Sequence, residues 1–187
     1  MIVFATLPFV IPELGPHGAL PLGRYLCELD EIESRFVTHQ DFAASSTRPG
    51  IWQDLLDVLA FLSVKRVRVA ALWVAGGYTT TKIDPADIDV CVVVDAQRLA
   101  SQGALPFVSQ LVSGQKAAGL KVDAFVVPWW PVELPTRGLS ADVDLYNWYR
   151  GYWDDHWQRD SPNRPPTTRD DALPRRGYLE VILDGYR

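Results

Sequence analysis

Spacing of the apolar side chains divides the chain into helices that repeat every three or four residues and strands that are almost continuously apolar. In CELDEIESRFV, Leu29, Ile32, Phe36 and Val37 share one helical face with acids opposite, so residues 27–37 read as an amphipathic helix after a turn-rich lead at 16–23. The polar stretch HQDFAASSTRPG is a linker, and Pro49 and Gly50 punctuate the start of a second helix. In IWQDLLDVLAFLSV, 51–64, Ile51, Leu55, Val58, Leu59 and Leu62 form a stripe suited to lying on a sheet. VRVAALWVA, 67–75, reads as a buried strand that ends in a flexible turn at Gly76 and Gly77, and IDVCVVVD, 88–95, as its neighbour. LPFVSQLVSG predicts a short helix ending on Gly114, and LKVDAFVVPWW a third strand stopped by Pro128.

Towards the C-terminus, ADVDLYNWYRGYWDDHWQRD sets Tyr146, Tyr149, Trp153 and Trp157 near one helical face, a recurrence that favours core packing over base stacking. SPNRPPTTRDDALP is a loop by composition, and RGYLEVIL alternates like a strand that closes the sheet. These elements predict an α/β (α+β) fold, a mixed twisted sheet with flanking helices. One domain spans 1–187, its core at about 51–130.

Charge and composition narrow the chemistry. At 48% hydrophobic and 22% charged residues, with no apolar run long enough to cross a bilayer, the chain is expected to be soluble. MIVFATLPFVIPELGP has no basic start and is broken by Pro8 and Pro12, so it reads as part of the mature fold. Cys27 and Cys91 are the only cysteines, and Cys91 within a strand suggests a buried thiol in a reducing cytoplasm. A net charge of −5 argues against broad nucleic-acid binding but leaves room for a local phosphate site. Arg150, Arg159, Arg169, Arg175 and Arg176 read as scattered surface charge in preference to a phosphate grip. His17, His39 and His156 lie far apart with no ligand spacing to cysteine, which disfavours zinc.

What stands out is Asp87-Ile88-Asp89 at the start of an apolar strand. Residues two apart in a strand project to the same side, their Cα atoms about 7 Å apart. Two such charges repel by roughly 2 to 3 kcal/mol, a cost that a divalent cation turns into attraction. Hard oxygen ligands few in number suit Mg²⁺ or Mn²⁺, which bind one or two carboxylates plus phosphate oxygens. Gly76 and Gly77 let backbone N–H groups approach phosphate with no Cβ in the way. Asp84, beside Pro85, is a turn former, and Asp123 is a lone acid in the third strand.

Together, Val74, Gly76 and Gly77, a nine-residue spacer and Asp87-Ile88-Asp89 resemble the polymerase-beta-like nucleotidyltransferase superfamily. GRYLCELDEIESRFV, RGYWDDHWQRD and RGYLEVIL extend the likeness to a group of small nucleotidyltransferase-like proteins of bacteria and phages. The resemblance implies that Asp123 completes a catalytic and metal-binding triad with Asp87 and Asp89, holding Mg²⁺ (or Mn²⁺). It implies a nucleoside triphosphate as donor, bound by Gly76, Gly77, Thr79 and Lys82, and an RNA, tRNA, protein or small-molecule acceptor. Many relatives carry Gly-Ser where this chain has Gly77, so Thr79, Thr80 or Thr81 is the hydroxyl left to compensate. Members of the superfamily occur in toxin–antitoxin and phage-defence systems, and a chain this small is expected to need a partner to complete its acceptor site. The alternative is a catalytically silent binding module on the same fold, an antitoxin or regulatory partner.

Overall fold

The structure, a computed structural model, describes residues 11–159 and 169–186. Five strands, β1 (Gly23–Cys27), β2 (Val69–Ala75), β3 (Ile88–Asp95), β4 (Val122–Trp129) and β5 (Gly177–Ile182), form one mixed sheet in the order β1-β5-β2-β3-β4. β2 runs antiparallel to both β5 and β3, whereas β1 is parallel to β5 and β4 parallel to β3. The helices are α1 (Leu29–Phe36), α2 (Arg48–Val64), α3 (Ala96–Ser101), α4 (Leu105–Ala117) and α5 (Ala141–Gln158). The expected mixed sheet with flanking helices is therefore present.

Both faces of the sheet are covered, which is why its central strands read as unbroken apolar runs. Leu72, Val74, Val90 and Val92 face a core built with Ile32 of α1, Leu55 and Val58 of α2 and Val112 of α4. Trp73, Cys91, Val93 and Val127 face the other way, against Tyr146, Trp153 and Trp157 of α5. Three of the four aromatics on the predicted α5 face are thus core residues, and Tyr149 packs beside them partly buried. Each fully buried valine or leucine contributes about 1.5 to 3 kcal/mol, so β2, buried along its whole length, anchors the fold.

Several boundaries differ from the pattern. β1 lies where only a turn-rich lead and a helix start were expected. It is a five-residue edge strand with exposed Arg24 and Leu26, too short to alternate visibly. α1 begins at Leu29 because Glu28 and Glu31 form a capping box. α2 starts three residues earlier than predicted, with Pro49 accommodated in its first turn. α4 passes through Gly114 to Ala117, and the chain turns instead near Gly119, whose φ is +99°. β4 continues through Pro128, paired with Val94, because β4 is the sheet's edge and the missing N–H would face outward. α3 was not foreseen. Residues 1–10 of the apolar N-terminus, residue 160 of the predicted last helix and 161–168 of the predicted loop lie outside the described residues, and Arg169–Ala172 form a single 3-10 turn.

The two ends of α2 are held by unusual arginines. At its C-terminal end, Val67 N–H donates to the Leu62 carbonyl and Arg66 N–H to Ser63, a helix stop that ordinarily takes glycine. Arg66 holds the left-handed position itself (φ 58°), at a cost of about 1 kcal/mol. At the start of the same helix, Arg48 is fully buried. Its Nε donates to Ile83 O (3.2 Å), Nη1 to Phe36 O (3.1 Å) and Tyr78 O (2.8 Å), and Nη2 to Thr80 O (2.9 Å) and Lys82 O (2.6 Å). The guanidinium also lies over the Phe42 ring at 3.8 Å. Burial lowers its pKa to about 10, so it stays charged at neutral pH, compensated by carbonyl dipoles. Asp84 meets the same helix from outside the core, accepting from Ser46 N–H (2.8 Å), Thr47 N–H (3.3 Å) and the Ser45 hydroxyl (3.0 Å). The expected turn former is thus also a tether, and these bonds hold its carboxyl below the usual range.

Arg48→Met should lower the free energy of unfolding by about 3 to 5 kcal/mol, because buried carbonyls lose their donors. Arg48→Lys, with three donors in place of a planar fork, should recover only part of that loss in urea unfolding.

Candidate functional site

The register of the sheet collects the predicted acids at one end. Asp89 lies opposite Ala75 of β2 on one side and Asp123 of β4 on the other, and Asp87 immediately precedes β3. Asp89 shares its parity with Cys91 and Val93, and Asp123 with Phe125 and Val127, so these acids continue the face that α5 covers. The end of α5 borders them. Trp157 Nε1 donates to Cys91 Sγ (3.2 Å), and Phe125 packs on Trp153 at 4.4 Å between ring centres.

Gly76 is where β2 meets this cluster. Its φ is +74°, and a Cβ there would fall 1.7 Å from Asp89 Oδ2, so the carboxylate occupies the space that any side chain would need. The expected flexible turn is a buried 3-10 turn, Gly76–Thr79. Gly77 differs from its neighbour, since a Cβ there would meet nothing nearer than Lys82 Cδ at 3.7 Å. Thr79 is buried and donates to Gly76 O (3.2 Å), while the Thr80 hydroxyl donates to Gly77 O (2.7 Å) and accepts from Lys82 N–H. Thr81 is joined to the N-terminal segment through its N–H to Gly18 O (2.8 Å). Both Thr79 and Thr80 thus use their hydroxyl protons within the turn. Lys82 is the exposed cation of the loop.

Lys116, unremarked in the sequence, reaches into the cluster from the last turn of α4. Its Nζ lies 2.8 Å from Asp123 Oδ2 and 3.3 Å from Asp87 Oδ2, contacts that raise its pKa. One signal pointed to it: a helix that ends one tight turn before β4 must set its last turn beside the start of that strand. Asp89 is left with the unfavourable share. Burial, then the charges of Asp87 and Asp123, push its carboxyl up to about 6, against the opposing pull of Arg176 and Lys116. Arg176 precedes β5, and its Nε donates to Trp157 O (3.3 Å). The other arginines are placed differently: Arg150 donates to the Tyr146 hydroxyl (2.7 Å), and Arg159 pairs with Asp155.

As they stand, no three His, Cys, Asp or Glu side chains among the described residues converge closely enough to hold one metal ion. The donor chemistry nevertheless suits a hard divalent cation. Lys116 Nζ is a stand-in positive charge held jointly by Asp87 and Asp123, both about a third exposed, and Asp89 lies alongside under repulsion. Of the histidines, His17 and His156 are exposed, and His39 Nδ1 accepts from Asp41 N–H. Cys27 and Cys91 are buried free thiols, and no helix among the described residues is long and apolar enough to cross a membrane.

Fold and site together define a mixed α+β protein with an acidic cluster seated on a glycine turn. The chain belongs to DUF6932, a family of unknown function, whose profile matches residues 12–182 and so includes every strand and the whole cluster. No curated protein and no solved structure matches it.

Two expected outcomes test the geometry. Gly76→Ala should unfold or severely destabilise the protein, whereas Gly77→Ser should leave the melting temperature within about 2 °C of wild type. In metal-free buffer the folded state holds the Asp89 proton more tightly than the unfolded chain does. Stability should therefore fall as pH rises from the ordinary carboxylate value of 3.8 through about 6. Asp89→Asn should remove that slope from the urea midpoint.

Proposed function

We propose that this chain is a polymerase-beta-like nucleotidyltransferase, dependent on Mg²⁺ or Mn²⁺, that transfers a nucleotide from a nucleoside triphosphate to an acceptor. The observation that carries the reading is the Asp89 carboxylate lying directly over Gly76 with Asp87 and Asp123 on the same side of the sheet. Asp87, Asp89 and Asp123 would hold the cation, which supplies charge neutralisation to the phosphates when bound. Lys116 would then release the two carboxylates it now bridges, a short movement for a half-exposed lysine, and offer its ammonium to phosphate. Lys82 and the Gly77 backbone line the approach for the triphosphate. An acceptor hydroxyl attacks the α-phosphorus, the bond to the bridging oxygen breaks, and pyrophosphate departs with the hydroxyl proton passing to water or to a carboxylate. The acceptor classes consistent with the resemblance are RNA or tRNA, protein and small molecules, in a cytoplasmic toxin–antitoxin or phage-defence setting with a partner protein.

Lys116 also favours a second reading. An internal ion pair that neutralises Asp87 and Asp123, together with the missing hydroxyl at Gly77, fits a binding module that keeps the fold without catalysis.

With α-labelled triphosphates, Mn²⁺ and candidate tRNA or protein acceptors, the enzyme should transfer label, and Asp87→Ala or Asp123→Ala should reduce transfer at least about 100-fold. Lys116→Met should raise the affinity for Mn²⁺ measured by electron paramagnetic resonance. If Lys116→Met leaves Mn²⁺ unbound and no acceptor takes label, the binding-module reading stands in place of the enzyme.

A further inference from the structure

At the pole of the sheet opposite the aspartates, where β2 starts and β3 and β5 end, a cavity of about 430 Å³ opens between α2 and α3. Its lining is mostly polar, with a small apolar part from Leu59, Val67 and Leu183, and it includes three arginines: Arg66, Arg68 and Arg98. In a chain of net charge −5, three arginines around one cavity are a local reversal of sign.

The three are held differently. Arg68 is fixed in place: Nη1 pairs with the buried carboxylate of Asp95 (3.2 Å), and Nη2 donates to Asp184 O (3.1 Å) and Gly185 O (3.3 Å). The one acid that lines the cavity, Asp184, is engaged as well, its Oδ2 accepting from Val69 N–H at 3.0 Å. Arg66 and Arg98, by contrast, make no side-chain hydrogen bond or ion pair among the described residues. Two exposed arginines without side-chain partners among the described residues thus share the cavity lining with a third that is already neutralised. Arg66 moreover occupies a left-handed backbone position (φ 58°) where glycine would be easier. An arginine in a backbone position that suits glycine, in a cavity lining and with its guanidinium unengaged, has the character of a ligand group.

We propose that this cavity binds a small organic phosphate the size of a nucleoside monophosphate, the phosphate taken by Arg66 and Arg98 and the organic body lying against Leu59 and Leu183. Phosphate matches the planar fork of arginine better than any neutral group does. The volume lies within the range of small-molecule sites, and the partly exposed Leu59 and Leu183 give an organic phosphate a contact that the bare ion lacks. The site is independent of the aspartate cluster and of the activity proposed for it.

Isothermal titration of the full chain without added divalent metal, using AMP, UMP, ribose 5-phosphate and inorganic phosphate as probes, tests this directly. A mononucleotide should bind saturably and at least about tenfold more tightly than inorganic phosphate. Arg66→Gly should weaken it at least about tenfold while the melting temperature stays level or rises, since glycine suits that backbone. Arg98→Gln should weaken it similarly, and Asp87→Ala should leave it unchanged. Absence of saturable binding by every probe, equal binding of inorganic phosphate, insensitivity to both arginine variants, or loss on Asp87→Ala would each overturn the proposal.

Discussion

One buried cation holds the loop on which the candidate site depends. Arg48 spends five hydrogen bonds on main-chain carbonyls, and four of them, from Tyr78, Thr80, Lys82 and Ile83, belong to the loop between β2 and β3. A buried charge without a carboxylate is costly, and the cost is offset only if the carbonyls stay aligned. The guanidinium therefore demands one loop conformation. That loop begins in Gly76, whose bare Cα accommodates Asp89, so the strain of Arg48 burial and the placement of the acidic cluster are joined through a few residues of backbone. Asp84 reinforces the arrangement by binding the loop's far end to the start of α2.

This support explains how a sheet end can tolerate three carboxylates. Asp87 and Asp123 are partly exposed and share Lys116, while Asp89 is drawn inward over the glycine and takes the repulsion. Such a cluster is stable enough to persist and short of positive charge, the condition in which an added cation gains most. The opposite pole of the same sheet has the reverse sign, with Asp95 and Asp184 engaged and Arg66 and Arg98 left over. The molecule thus separates acidic and basic chemistry by the length of its strands.

Much of this was legible in the residues. The three central strands, two of the large helices and the same-side placement of Asp87 and Asp89 follow from periodicity, because burial on both faces leaves a strong apolar signal. The glycine pair was legible as a pair but not as two different positions: only the fold reveals that Gly76 is obligatory and Gly77 has room. Arg48 was hidden because nothing in a linker sequence distinguishes an arginine that faces solvent from one that folds under its own loop. Lys116 was hidden for a related reason, since a helix's last turn favours basic residues for its dipole whatever else they touch, and Arg66 because a left-handed helix stop is ordinarily signalled by glycine. β1 and the continuation of β4 through Pro128 were missed because edge strands obey weaker rules than central ones.

The central claim, that the cluster on Gly76 is a site for a divalent cation, is tested most directly by carbon NMR of the aspartate carboxyls during a Mg²⁺ titration. A cation site requires the resonances of Asp87, Asp89 and Asp123 to shift together and saturate, with the Asp89 titration midpoint moving down from about 6 towards its ordinary 3.8. Carboxyl resonances that ignore Mg²⁺, with Asp89 still titrating near 6, would contradict it.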